Sequence, residues 1–185
     1  IKFGSWMGGD RDGNPNVTAD VTKKVILFSR WQAAKLYEKE FTKLIQNLSI
    51  KECSLKIKKI SGNSFEPYRV YLRPIRDKIR LTYQLIEKHL NNNKLLDEKK
   101  LLQDKNEILQ PLRDIRESLN SNRGQHIANA DLLDLIRRVR CFGISLARLD
   151  IRQESSRHTK LVSDVLNKKF KTDFISLSEN KKINL

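Results

Sequence analysis

Apolar residues recur along most of this chain at steps of three and four, which is the spacing of one face of an α-helix. The longest stripe lies within residues 19–48 and includes Val21, Phe28 and Phe41. Further stripes predict helices through residues 67–90, 101–119, 131–142 and 156–166. Pro67 suits a first helical turn, whereas Pro74 should kink that helix or delay its start. The pattern therefore predicts a mostly α fold.

Two segments have the character of strands instead. Residues 1–7 form a short, mostly apolar run, and residues 144–151 alternate between apolar and charged side chains near their end. Two strands separated by four helices would leave their hydrogen-bonding edges open. We therefore expect a few short strands that are part of a larger α/β barrel. The absence of an initial Met fits a piece of a longer protein.

The amino-acid composition argues against several classes of protein. The 185 residues carry 37 Lys+Arg against 22 Asp+Glu, a formal net charge of +15. No apolar run approaches the roughly 18 residues of a transmembrane helix, so we expect no membrane contact. With so few Cys, a reducing compartment, the cytoplasm, is the default expectation. Two Cys and three His argue against a disulfide scaffold or a zinc finger. The charge permits a basic helical nucleic-acid-binding module, but no basic strand interleaved with aromatic residues of the kind that stacks bases is visible, so solvated Lys faces are the preferred interpretation.

The loop at residues 8–15 reads Gly-Gly-Asp-Arg-Asp-Gly-Asn-Pro. As a calcium loop it would have Pro15 at position six and Val21 at position twelve, where Gly and Glu are required. It also lacks the Gly-Lys-Ser/Thr of a P-loop and the spacing of a dinucleotide fingerprint. Two interpretations stay open. The loop either presents Arg11 and backbone N–H groups to an anion at a barrel mouth, or it is a tight turn in which Arg11 pairs with Asp10 or Asp12.

The second candidate motif, Asp-Ile-Arg-Gln-Glu-Ser at residues 150–155, lies where a strand meets its loop. A guanidinium at a strand end matches a phosphate or carboxylate with two parallel hydrogen bonds. The alternative is a buried ion pair between Arg152 and a nearby aspartate: Asp10, Asp12 or Asp150. Trp6, beside the two glycines, either walls an apolar pocket or is an ordinary core residue.

Two long stretches carry a resemblance to a known family. They are FGSWMGGDRDGNPNVT at residues 3–18 and DLLDLIRRVRCFGISLARLDIRQESSRHT at residues 131–159, with a weaker match at residues 67–79 between them. In this order they resemble phosphoenolpyruvate carboxylase. The resemblance implies that residues 1–185 are the central segment of a longer, helix-wrapped α/β-barrel enzyme, a homotetrameric lyase. Such an enzyme joins bicarbonate to phosphoenolpyruvate with Mg²⁺, giving oxaloacetate and phosphate in a carbon-fixing reaction that replenishes the tricarboxylic acid cycle.

The resemblance also implies roles for individual residues. Arg152 would grip the substrate phosphate, and Trp6 would line the apolar pocket around the methylene group. Arg11 would lie near the same mouth, either touching substrate or bracing the loop. We therefore expect Arg152 and Arg11 to be catalytic, Trp6 and Arg152 to bind substrate, and no metal ligand in this chain. The family's catalytic His and metal-binding carboxylates would lie outside it, so the isolated chain should be inactive.

Overall fold

A computed structural model describes residues 3–92 and 94–184. The chain is mostly helical, and its two short strands form a parallel pair. Two-residue strands β1 and β2 are Gly4–Ser5 and Arg148–Leu149. The helices are α1 (Ala19–Asn47), α2 (Leu55–Ser61), α3 (Pro67–Asn92), α4 (Asn106–Ser121), α5 (Gln125–Ala128), α6 (Asp131–Phe142), α7 (Ser155–Phe170) and α8 (Glu179–Ile183). A 3₁₀ turn at Glu98–Lys100 precedes α4.

The chain divides into two compact units. The first takes the residues up to Ser5 and the segment Lys23–Arg148, and the second takes Trp6–Thr22 and the residues from Leu149 onward. The first unit contains most of α1 and all of α2 to α6. The second contains the glycine-rich loop, the Arg152 segment and α7. The candidate site residues Trp6, Arg11 and Arg152 therefore all fall in the second unit.

The core of the first unit is built from the apolar stripes of its helices. α4 packs against α2, α3, α5 and α6, so it is the central helix of this unit. Each large aliphatic or aromatic side chain buried here contributes about 1.5–3 kcal/mol relative to an exposed one. The fully buried set includes Phe41, Leu48, Ile57, Tyr68, Leu72, Ile79, Ile108, Leu112, Ile115, Leu132 and Val139.

The helical predictions are largely confirmed. α1 and α3 end one residue before and two residues after the predicted limits, and α6 has the predicted bounds. α7 runs four residues further than expected, to Phe170. The predicted delay at Pro74 is wrong, because α3 begins at Pro67 and includes Pro74. Within the first helix, Val21 and Phe28 belong to the predicted stripe but are 36% and 53% exposed.

Three predictions of local structure need correction, and one short helix was missed. The strand expected at residues 144–151 is reduced to Arg148–Leu149, since a strand extends only where a neighbour pairs with it. The strand expected at residues 1–7 is reduced to Gly4–Ser5, with residues 1 and 2 outside the described part. The third helix was expected to include Leu101, but this residue lies in the connection before α4. The short helix α2 was not predicted, because its seven residues are too few to show a period.

Candidate functional site

The glycine-rich loop begins with a tight turn after β1. The carbonyl of Trp6 accepts hydrogen bonds from the backbone N–H groups of Gly9 (2.9 Å) and Asp10 (3.1 Å). Gly8 has a φ of +77°, a conformation that costs little only for glycine. A Cβ on Gly9 would lie 2.3 Å from the carbonyl oxygen of Asp150, so the backbones approach too closely for any side chain. Gly8 is thus required by the turn, and Gly9 is required by the close approach of the Asp150 backbone.

This turn places the loop beside the segment that contains Arg152. Asp10 and Arg152 form a parallel β-bridge. The Arg152 N–H donates to the Gly9 carbonyl, and the Arg11 N–H donates to the Arg152 carbonyl, each at 2.9 Å. Residues about 140 positions apart in sequence are therefore held in register by backbone hydrogen bonds.

The Arg152 guanidinium lies over the Trp6 ring, 5.4 Å from its centroid. Its Nη1 lies 3.7 Å from Oδ2 of Asp10, and the two side chains are 52% and 37% exposed. An exposed pair of this kind contributes only about 0.2–1 kcal/mol, so its main effect is to orient the guanidinium. Within residues 3–92 and 94–184, Arg152 has no second ion-pair partner, and its remaining N–H donors can bind an anion.

The two earlier interpretations of Arg152 can now be compared. An ion pair with Asp10 does form, but it is exposed and not buried as that interpretation required. Trp6 is 60% exposed, so it is not an ordinary core residue of this chain. The indole and the guanidinium together present an apolar surface beside a cation, which suits a ligand with both an apolar part and an anionic part.

Arg11 is held in a different way. Its Nη2 donates to the hydroxyl of Thr22 at 2.9 Å, and among the described residues it forms no ion pair with Asp10 or Asp12. The interpretation in which Arg11 pairs with one of these aspartates is therefore wrong. The Thr22 hydroxyl in turn lies 2.7 Å from the Gly8 carbonyl. Arg11 thus connects the loop to the first turn of α1.

Arg11 also lines an open cleft of about 570 Å³ in the second unit. The cleft lies between the loop and the start of α7, and its lining includes Arg157 but neither Trp6 nor Arg152. The structure therefore brings Trp6 and Arg152 together and places Arg11 on the same loop but on a separate cleft. Sequence reasoning missed Thr22 as the partner of Arg11. The sequence offered one signal for Thr22: it lies four residues after Thr18, at the start of a predicted helix.

No group of three or more His, Cys, Asp or Glu residues in the described part of the chain is placed to hold a metal ion. No helix of the described residues is both long enough and apolar enough to cross a membrane.

Comparison with known proteins places these residues in a family. The family model of phosphoenolpyruvate carboxylase matches residues 1–185. The chain is similar to proteins named phosphoenolpyruvate carboxylase from Photorhabdus laumondii (44% identical), Pectobacterium carotovorum (42%) and Yersinia pseudotuberculosis (40%). In each case the match covers 98% of this chain and 21% of the relative, so the chain spans about a fifth of the length of these relatives. The chain belongs to the phosphoenolpyruvate carboxylase family.

Proposed function

We propose that the whole protein containing this chain carboxylates phosphoenolpyruvate with bicarbonate, giving oxaloacetate and phosphate. Family membership supports the reaction. The observation that carries the proposal is the placement of the Arg152 guanidinium over the Trp6 ring at a strand end. Phosphoenolpyruvate carries a phosphate and a carboxylate on one alkene carbon and has an apolar methylene group as the other, which is a combination that this pair of side chains can hold.

The proposed chemistry has two stages. An oxygen of bicarbonate attacks phosphorus, the bond between phosphorus and the enol oxygen breaks, and its electron pair remains on the enolate. The carboxyphosphate formed in this way releases carbon dioxide and phosphate, and the enolate carbon then bonds to carbon dioxide. Negative charge moves between oxygens throughout, so N–H donors fixed in advance stabilise the transition state more than mobile ones.

In this proposal Arg152 holds the phosphate that is being transferred. Its backbone is fixed by the bridge to Asp10, and the carboxylate of Asp10 orients its side chain. Because that ion pair is long and exposed, a phosphate oxygen can replace or join the carboxylate at little cost. Trp6 supplies an apolar wall beside the methylene carbon and keeps water from protonating the enolate there.

Arg11 is assigned to the same catalytic set, with its charge at the mouth of the site and its side chain bracing the loop. Its bond to Thr22 supports the bracing role.

We further infer that β1 and β2 belong to a larger helix-wrapped barrel, of which residues 1–185 are the central segment. The whole protein is inferred to be a cytoplasmic homotetramer that uses Mg²⁺, and light scattering of the purified whole protein tests its oligomeric state.

The experiment is an assay of the whole protein for oxaloacetate formed from phosphoenolpyruvate and bicarbonate. Arg152→Ala should lower kcat/KM about a hundredfold, on the order of 3 kcal/mol, because a charge-assisted contact in the transition state is lost. Arg152→Lys keeps the charge but loses the planar fork, so it should recover only part of the activity. Arg140→Ala removes an equal charge from an exposed position on α6 and serves as the control.

Two results would contradict the proposal. If the whole protein forms no oxaloacetate above the blank, the proposed function is wrong. A loss below about fivefold in Arg152→Ala, roughly 1 kcal/mol, would remove Arg152 from the substrate site. The nucleic-acid-binding alternative has no support from the three relatives described above, each of which carries the name of the carboxylase.

A further inference from the structure

One buried hydroxyl joins the parts of the candidate site. Thr22, in the first turn of α1, is only 4% exposed. Its Oγ1 lies 2.7 Å from the Gly8 carbonyl and 3.2 Å from the Thr18 carbonyl, and it accepts a hydrogen bond from Nη2 of Arg11 at 2.9 Å. A hydroxyl has one proton to donate, and the shorter distance assigns it to Gly8. Its oxygen then remains available as the acceptor for Arg11.

The hydrogen bond from Thr22 to the Gly8 carbonyl acts on the turn that carries Trp6 and Asp10. Gly8 lies inside the turn closed by the Trp6 carbonyl, which accepts from the N–H groups of Gly9 and Asp10. Movement of the Gly8 peptide therefore moves Trp6 on one side and Asp10 on the other. Asp10 is the ion-pair partner of Arg152. Through one hydroxyl, Thr22 fixes the backbone that carries both the indole and the carboxylate of the candidate site.

Arg11 depends on the same hydroxyl. Among the described residues, Thr22 is the one side-chain partner of its guanidinium, and Nε of Arg11 is buried without a hydrogen-bond partner. Without Thr22, the guanidinium would lose the acceptor that sets its direction, and the long side chain would regain rotamer freedom.

We propose that Thr22 is a positioning residue of this site, acting through Arg11 and the Gly8 turn without touching substrate. This inference rests on the proposed carboxylation for its catalytic consequence, but its geometric part does not depend on that reaction. A displacement of about 1 Å in a catalytic group can cost up to a hundredfold in rate, so a hydroxyl remote from substrate can affect turnover.

The test compares substitutions that separate the hydroxyl from the volume of the side chain. Thr22→Val keeps the shape and removes the hydroxyl, whereas Thr22→Ser keeps the hydroxyl. Thr82→Val is a matched control, because Thr82 is 2% exposed, donates to the Lys78 carbonyl at 2.9 Å and accepts from the Leu102 N–H at 3.0 Å, all in the first unit. It removes an equivalent buried hydroxyl from a place remote in sequence from the site.

In the whole protein, we expect Thr22→Val to lower kcat/KM for phosphoenolpyruvate about tenfold, and Thr22→Ser to stay within about threefold of the unsubstituted protein. Thr82→Val should lower the melting temperature and leave kcat/KM within about twofold. In an Arg11→Ala background, adding Thr22→Val should lower kcat/KM only about threefold, because the Arg11 contact is already absent and only the effect through the Gly8 turn remains. Equal losses in both backgrounds, or equal losses in the Val and Ser variants, would overturn the proposal.

Hydrogen exchange supplies a readout that needs no catalysis. Peptides covering residues 6–17 should exchange at least about fivefold faster in Thr22→Val than in Thr22→Ser, because the hydroxyl stabilises the turn that protects the Gly9 and Asp10 amides. Unchanged exchange in Thr22→Val overturns the positioning role of Thr22 whatever the activity. Absence of oxaloacetate from the unsubstituted protein instead overturns the proposed function, so the two failures are distinguishable.

Discussion

Removal of the Asp114 carboxylate should cost the first unit much of its stability. Asp114 lies on α4, and its side chain is 3% exposed. Oδ1 accepts from Nζ of Lys56 at 2.7 Å and from Nε2 of Gln110 at 2.9 Å, and Oδ2 accepts from the Tyr71 hydroxyl at 2.8 Å. Burial by itself would raise the pKa of Asp114, but the hydrogen bonds from Lys56, Tyr71 and Gln110 outweigh it and lower the pKa. The carboxylate is therefore ionised at neutral pH.

The magnitude follows from what each donor does after Asp114→Ala. Lys56 is 58% exposed, so its ammonium turns to water and loses little. The Tyr71 hydroxyl is partly buried and loses its partner, which costs about 1–3 kcal/mol for an unsatisfied group. Removing the buried partner of an ion pair costs about 3–5 kcal/mol when the remaining charge stays buried. Because Lys56 stays hydrated, that larger cost does not apply, and we expect about 2 kcal/mol, mainly from the unsatisfied Tyr71 hydroxyl.

The assay is urea unfolding of the 185-residue chain followed by circular dichroism, with the slope of the transition checked for constancy. Asp134→Ala is the control, because the one ion pair of this exposed carboxylate among the described residues is with Arg137 on the same helix, and it should cost no more than about 0.5 kcal/mol. Adding Tyr71→Phe to Asp114→Ala removes the unsatisfied hydroxyl and should recover about 1 kcal/mol. A loss below about 1 kcal/mol for Asp114→Ala at unchanged slope would refute this reasoning.

The contribution of Asp114 to the free energy of unfolding should be lost in acid. The folded pKa of Asp114 is below its unfolded value, so its contribution is fully present above the unfolded pKa of roughly 3.9 and is lost as the pH falls through the folded pKa. The stability difference between the unsubstituted chain and Asp114→Ala should therefore be constant from neutral pH to about pH 5 and should shrink below about pH 4. A difference that widens in acid would contradict the assignment.

Three further outcomes are expected. Arg69→Ala should cost about 1–2 kcal/mol in urea unfolding, because Arg69 donates to the carbonyls of Ile45 (2.8 Å) and Gln46 (2.7 Å) in the last turn of α1, which has no basic residue of its own. A change under about 0.3 kcal/mol would count against this capping role. Gly9→Ala should raise the hydrogen exchange of the Arg152 amide, because the added Cβ displaces the strand pairing; unchanged exchange would contradict this. The isolated chain should self-associate through the apolar face of α7, which exposes 62% of Leu161 and 67% of Phe170. Leu161→Lys should reduce the sedimentation coefficient at high concentration, and no change would exclude this face.

The helices were the part of the fold that sequence could predict. Periodicity is local, so the apolar stripes of α1, α3 and α6 indicated these helices and most of their ends. The short helix α2 and the buried position of Leu101 were not predictable in this way. Ile57 and Leu101 are buried by residues distant in sequence, and a seven-residue helix shows too little of a period. The larger barrel stays a prediction from the two isolated strands.

In the candidate site, too, some features were predictable from the sequence and others were not. The types of its residues and the glycines of its turn were visible in the sequence, since a guanidinium, an indole and a glycine pair each have characteristic chemistry. The tertiary structure decided their partners: Arg152 meets Trp6 and Asp10 across about 140 residues, and Arg11 bonds to Thr22 instead of its neighbouring aspartates. The Asp10 carboxylate instead accepts from the Asp12 N–H and pairs with Arg152, whereas the first turn of α1 places the Thr22 hydroxyl within reach of Arg11. Sequence therefore determined which groups are present, and backbone pairing between distant segments determined which of them meet.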